Sequence, residues 1–185
     1  GTSCANKYSE IRDNFCALPP AERQVSFGGS VMVLTDGTPG QVHLANPAAD
    51  FFGRVSTIAD VGNDPRRVRC LDNVCAVTNH GSDSLTILTW DGLETAAVTA
   101  TVAVGDGPVG LDLYNVGDSI RILTTGQNDN TYSMTTVSAA GEFVETETSA
   151  IPEGCEAPGH IIWIEETSQA FATCFDNHSY AVFEP

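Results

Sequence analysis

The sequence predicts an all-β fold, a four-bladed β-propeller of four-stranded antiparallel blades. Three observations predict it. A Thr that closes an apolar run recurs at Thr35, Thr78, Thr125 and Thr173, at spacings of 43, 47 and 48 residues. After each Thr comes a polar segment rich in Gly, Asn, Asp and Ser. Apolar or aromatic residues then follow at alternate positions: Val42 and Leu44, Leu85 and Ile87, Tyr132 and Met134, Tyr180 and Val182. Period-two alternation marks a strand face, and the polar residues between are hairpin-turn chemistry. Upstream of each Thr, Pro20, Pro65, Pro108 and Pro158 each precede a short alternating strand. A four-strand unit repeating every ~40–50 residues has the period of a propeller blade.

The elements follow in order along a single domain, 1–185. An N-terminal segment, 1–19, holds one candidate strand within "KYSEIRDNFCAL" (7–18). Helical periodicity is weak throughout, and "NKYSEIRDNF" (6–15) is too short to stand as a helix. Blade 1, 20–64, opens on Val25 and Phe27 and turns at "GGS" (28–30). Blade 2, 65–107, opens on Val68 and Cys70, turns at Asp72–Asn73, and continues through "AVTNHGSDSLTIL". The stretch "NHGSDS" looks like a ligand loop in isolation, but its register repeats in all four blades while its chemistry changes, so it is expected to be a turn. Asp91–Gly92 is a good two-residue hairpin turn. Blade 3, 108–157, opens on Leu111 and Leu113 and turns at "VGDS" (116–119). Blade 4, 158–185, opens on Ile161 and Trp163, turns at "TSQ" (167–169), and ends just after its third strand, "SYAVF". The leftover N-terminal strand is expected to complete blade 4 and close its open edge. The donor is either the same chain or a neighbouring copy, and donation between copies gives dimers or filaments.

"VGDGPVGLDL" (104–113) and "AVTNHGSDSLTIL" (76–88) resemble the YVTN/NHL-like propeller repeats, where "GxxPxGL" opens a blade and "VTNxxSxxLTIL" forms its inner hairpin. The resemblance is good over roughly residues 60–140 and looser in the flanking blades. It implies the fold and carries over no catalytic residue, since propellers host many activities.

Composition narrows the function. The net charge is −16 with only eight basic residues, and no Lys or Arg follows Arg121. Such a surface repels phosphate backbones and anionic lipid, which argues against nucleic-acid and membrane partners. No apolar run approaches the roughly 20 residues of a membrane span. The cysteines are Cys4, Cys16, Cys70, Cys75, Cys155 and Cys174, an even number without a CxxC pair. With a single Lys and Gly1 in place of an initiating Met, the chain is expected to be a mature secreted protein with disulfides. If Asp72–Asn73 is a two-residue turn, Cys70 faces Cys75 at a separation of about 4.5 Å, which a disulfide fits. Hairpin geometry puts Cys155 and Cys174 on one rim. Cys4 and Cys16 then pair with each other or clamp another chain.

Chemistry is sparse. His43, His80, His160 and His178 occupy non-equivalent repeat positions and form no i,i+4 metal pair. No GxSxG, P-loop or dinucleotide fingerprint is present. No catalytic, cofactor or metal residue is assigned, although acidic and amide loops could hold Ca²⁺. Asn177-His178-Ser179 is a glycosylation sequon. Trp90, just before the Asp91–Gly92 turn, could be a rim aromatic for sugar stacking, whereas Trp163 is expected in the core. Charge is better placed for self-association. Arg66, Arg67 and Arg69 form a basic patch, and Glu142, Glu145, Glu147, Glu153 and Glu156 an acidic one, which suits a head-to-tail contact.

The function expected is therefore that of a secreted, non-enzymatic structural protein whose partner is itself. In blade count, cysteines and leftover strand it looks like the tetra-bladed propeller subunits that build extracellular fibrils. The first alternative is a glycan- or ion-binding module using rim loops. The second is a lactonase- or lyase-like enzyme, which would need histidines and carboxylates converging on the channel. A further alternative makes the chain part of a longer propeller, with blade edges left open.

Overall fold

The computed structural model describes residues 24–28, 31–36, 40–45, 55–58, 61–90 and 96–185, with side chains at 40–42, 61–90 and 96–185. Among the described residues, every regular element apart from one 3-10 turn, His80–Ser82, is a strand. The first sheet holds β1 (Gln24–Gly28), β2 (Val31–Asp36), β3 (Gln41–Ala45) and β4 (Val55–Ile58). The second holds β5 (Pro65–Leu71), β6 (Val74–Asn79), β7 (Ser84–Trp90) and β8 (Ala96–Ala103). The third holds β9 (Pro108–Val116), β10 (Ser119–Gly126), β11 (Thr131–Ser138) and β12 (Phe143–Ala150). The fourth holds β13 (Pro158–Ile164), β14 (Gln169–Cys174) and β15 (Ser179–Phe183). Each sheet is an antiparallel meander in chain order, with three strands in the fourth among the described residues. The N-terminal strand expected to complete it, Cys4, Cys16 and the Asp91–Gly92 turn lie outside the described residues.

The repeat has a backbone cause. Each inner strand from the second sheet onward begins at its Pro with a break in register: Pro65/Arg67, Pro108 opposite Gly126, and Pro158/Ile161. A bulge leaves one N–H without a ladder partner. The anchor Thr supplies the acceptor: Thr78 Oγ1 accepts from Arg67 N–H (3.0 Å), Thr125 from Gly110 (2.9 Å) and Thr173 from His160 (3.0 Å). The residue five positions after each Thr adopts a left-handed conformation: Asp83 (φ 48°), Asn130 (φ 54°) and His178 (φ 51°). Asn, Asp and His tolerate that conformation better than most side chains. Two of these residues also stitch neighbouring sheets. Asp83 Oδ1 accepts from Gly107 N–H (3.0 Å), and Asn130 Oδ1 from Ala157 N–H (2.9 Å). The near-copied loops "VGNDP" and "VGDGP" use Gly where the backbone meets the β6–β7 or β10–β11 turn of the sheet that the loop enters. A Cβ on Gly62 would collide with Ser82 and Asn79, and one on Gly105 with Thr131.

Sheets stack face to face. Val42 of the first sheet packs with Val68, Val77, Cys75, Leu88 and Trp90 of the second. Ala76, Leu85 and Ile87 on the opposite face of the second pack with Leu111, Ile122 and Val137 of the third. Tyr114 and Leu123 on the far face of the third pack with Ile161, Ala172 and Phe183 of the fourth. Each of these interfaces joins the leading face of one sheet, the one turned toward the next sheet in the chain, to the trailing face of that next sheet. Leu85, Ile87, Ile122 and Leu123 are fully buried, each stabilising by about 1.5–3 kcal/mol. Trp90 belongs to the first of these interfaces and is 4% exposed, so it is no rim platform for a sugar. Trp163 stacks on Tyr114 with ring centroids 4.2 Å apart.

Two disulfides are present among the described residues. Cys70–Cys75 spans the β5–β6 turn, and Cys155–Cys174 ties the loop entering the fourth sheet to the end of β14. Such bonds persist in oxidising compartments, and the protein is a secreted, extracellular one. No helix among the described residues is long and apolar enough to cross a membrane.

Candidate functional site

The arginines that the sequence grouped as a basic patch each find a partner within the chain. Arg66 pairs with Asp64 (2.9 Å) beside the first Pro of the second sheet. Arg67, on the leading face of β5, reaches across β9. Its Nε donates to Val109 O (3.1 Å) and its Nη2 to His160 Nε2 (2.9 Å) on the fourth sheet. Arg69 pairs with Asp112 (2.9 Å), whose other oxygen accepts from Trp163 N–H (2.7 Å). Asp112 is 7% exposed, and its carboxylate ties the second, third and fourth sheets together. Thr125 adds a third tie, donating to Gly159 O (2.6 Å) while accepting from Gly110. Burial, reinforced by the Arg67 charge, holds His160 below its ordinary range. Neutral His160 has the free lone pair that the Arg67 donor needs. Sequence reasoning missed these ties. The only available signal was that Arg67 and His160 both lie two residues after a blade-opening Pro.

The acidic residues do reach solvent. Glu142, Glu145, Glu147, Glu153 and Glu156 are all exposed, Glu145 and Glu147 on the outer strand β12 and Glu153 and Glu156 in the loop entering the fourth sheet. That loop forms one wall of a groove of about 500 Å³ lined by Gln127, Asn128, Asn130, Glu156, Ala157 and Asp176. The Cys155–Cys174 bond lies next to both walls, and backbone bonds from Phe175 to Ala157 and from Asp176 to Glu156 close its base. Asn177, the sequon residue, is exposed, but its Nδ2 donates to Gly154 O. The polar segment "NHGSDS" is structural in part. Asn79 is buried, and its Nδ2 donates to Ser84 and Thr86. Among the described residues, no group of three or more His, Cys, Asp or Glu is placed to hold a metal.

Among the described residues, several exposed apolar side chains gather on the leading face of the fourth sheet. The register sets Ile162, Phe171 and Val182 in one row, with Tyr180 opposite Thr173. Tyr180 is 68% exposed, and Ile162 and Val182 45% each. Phe171 stacks on Tyr180 with centroids 5.2 Å apart. The same face is buried in the second and third sheets.

No family profile and no curated protein matches the sequence. Solved structures do match in fold. A periplasmic gluconolactonase from Pseudomonas aeruginosa superposes with a TM-score of 0.65 at 16% identity, over 89% of this chain and 51% of that one. A putative 6-phosphogluconolactonase from Bacteroides uniformis gives 0.68 at 10%, over 86% and 50%. A chain of a nidogen/laminin complex gives 0.62 at 14%, over 89% and 62%. The chain spans about half to three-fifths of the length of these structures. The fold that the sheets and these likenesses define is a multi-bladed, propeller-like all-β fold. It occurs among lactonase-type and non-enzymatic proteins alike.

Proposed function

We propose that this secreted protein is a non-enzymatic structural subunit that self-associates. It resembles the YVTN/NHL-like and tetra-bladed propellers, and its assemblies build extracellular fibrils. One observation carries the proposal: the leading face of the fourth sheet is apolar and exposed, although its counterparts in the second and third sheets form buried interfaces. Isolated apolar surface residues are ordinary, but a whole sheet face is not. The edge of β15, unpaired among the described residues, adds a second surface open to strand addition. The basic patch has no part in this proposal, because each of its arginines has a partner in its own chain. Sedimentation velocity tests it. The wild type should sediment as an assembly that Ile162→Asp disperses, and identical profiles would refute the proposal.

The rim groove favours a second function, binding of a glycan. Planar amides and carboxylates held on a disulfide-pinned frame offer paired donors and acceptors to sugar hydroxyls. Titration with neutral oligosaccharides should shift the amide signals of Asn128, Asn130 and Asp176, and unmoved signals would remove this reading.

A further inference from the structure

We infer that Arg67, Arg69 and His160 form a binding site for a small oxyanion, a molecule bearing carboxylate or phosphate groups, where β5, β9 and β13 meet. The site is independent of self-association and of the rim groove, none of whose lining residues it uses.

The strands bring the three side chains together. β5, β9 and β13 open the second, third and fourth sheets and pack in succession. Arg67 and Arg69 lie beyond the bulge in β5, two residues apart, so they share a face. From that face Arg67 reaches Val109 O on β9 and His160 Nε2 on β13, and Arg69 reaches Asp112 on β9.

Charge is the first reason for a ligand there. Both partners of Arg67, a carbonyl and a neutral imidazole, are uncharged. Among the described residues no carboxylate pairs with Arg67, whereas Arg66 has Asp64 and Arg69 has Asp112. Asp112 is already committed, through Oδ1 to Arg69 and Leu113 N–H and through Oδ2 to Trp163 N–H. Two guanidiniums against this one carboxylate leave an excess of positive charge, in a chain whose net charge is −16. Burial and then the Arg69 charge hold Arg67 below its ordinary range, and burial and then the Arg67 charge do the same to His160. A bound anion relieves both repulsions.

The donors are the second reason. Arg67 spends Nε and Nη2, and Arg69 spends Nη1. Within the described residues, Arg67 Nη1 and Arg69 Nη2 remain as donors. His160 accepts at Nε2, so its proton sits on Nδ1 as another donor. Guanidinium N–H pairs match the oxygens of carboxylate and phosphate. His160 is exposed and the Arg69 side chain is 49% exposed, so the cluster reaches solvent. The acidic chain as a whole repels long polyanions, which restricts the ligand to a small molecule that the local charge can hold.

Nuclear magnetic resonance titration of the full chain with inorganic phosphate and with citrate tests this, with sodium chloride at matched ionic strength as the control. The charged groups around His160 are Arg67 and Arg69 of β5 and Asp112 of β9. Phosphate or citrate should shift the His160 ring signals saturably and raise the pKa of His160, because the anion offsets the Arg67 charge. Arg67→Gln should abolish binding, and Arg69→Gln should weaken it about tenfold or more. Arg66→Gln should bind as the wild type does, since Arg66 is paired with Asp64. Arg67 also ties sheets together, so Arg69→Gln and the wild-type titration decide the matter if Arg67→Gln does not fold. Shifts that chloride reproduces at the same ionic strength would overturn the site, because they would report screening alone. Saturable binding that Arg69→Gln leaves unchanged would also overturn it, by placing the anion elsewhere.

Discussion

At the scale of single residues, the feature that recurs at Thr78, Thr125 and Thr173 is a hydrogen-bond acceptor. The anchor Thr was legible in the sequence as a position, but its purpose was not, because the bulge it serves depends on strand pairing. Thr125 is fully buried and bonds both Gly110 N–H and Gly159 O. Thr125→Val keeps the shape and leaves both groups unpaired, which should destabilise by about 1–3 kcal/mol in urea unfolding. An unchanged midpoint would contradict this role. His160 makes a second residue-level prediction. Its folded pKa lies below the ordinary value, so the unfolded chain binds more protons as pH falls through ~6.5. Stability from the Arg67–His160 tie is therefore complete above that pH and declines below it, down to the folded pKa. Urea midpoints measured from pH 7.5 to 5 should fall less in His160→Gln than in the wild type. Parallel curves would contradict it.

At the scale of elements, strands and turns were readable because period two and turn chemistry are local. The inner strands at Pro65, Pro108 and Pro158 begin where the prolines place them, and the Asp72–Asn73 turn sets Cys70 opposite Cys75. What was not readable was the third dimension. Arg66, Arg67 and Arg69 look like a patch in one dimension, yet Arg67 and Arg69 lie on the face that meets the next sheet and bond across it. Trp90 likewise looks exposed beside a turn and is buried between sheets. The disulfides also belong to this scale. Cys155–Cys174 closes a separation of 19 residues and Cys70–Cys75 one of 5. On the chain-entropy model their loss costs about 3 and 2 kcal/mol respectively. Cys155→Ser with Cys174→Ser should therefore lower the urea midpoint more than Cys70→Ser with Cys75→Ser, and the reverse order would count against the account. The first pair also lies beside the rim groove, so its loss should loosen that groove as well.

At the scale of the whole molecule, the number of sheets follows from the repeat, whereas curvature does not. Asp112 and Tyr114 bond and pack between the third and fourth sheets, and neither leaves a periodic trace in the sequence. The terminal face was hidden for a related reason. Ile162, Tyr180 and Val182 read as ordinary strand residues, and only their exposure among the described residues sets them apart. With a net charge of −16, copies repel one another at low salt, so any association should strengthen as ions screen that charge. The central claim is that this face is a contact between copies. Light scattering of the wild-type chain in physiological salt, followed on dilution, tests it most directly. The account predicts a mass of at least twice the chain's 19.5 kDa that falls toward 19.5 kDa only on dilution. A mass of 19.5 kDa at every concentration would contradict it.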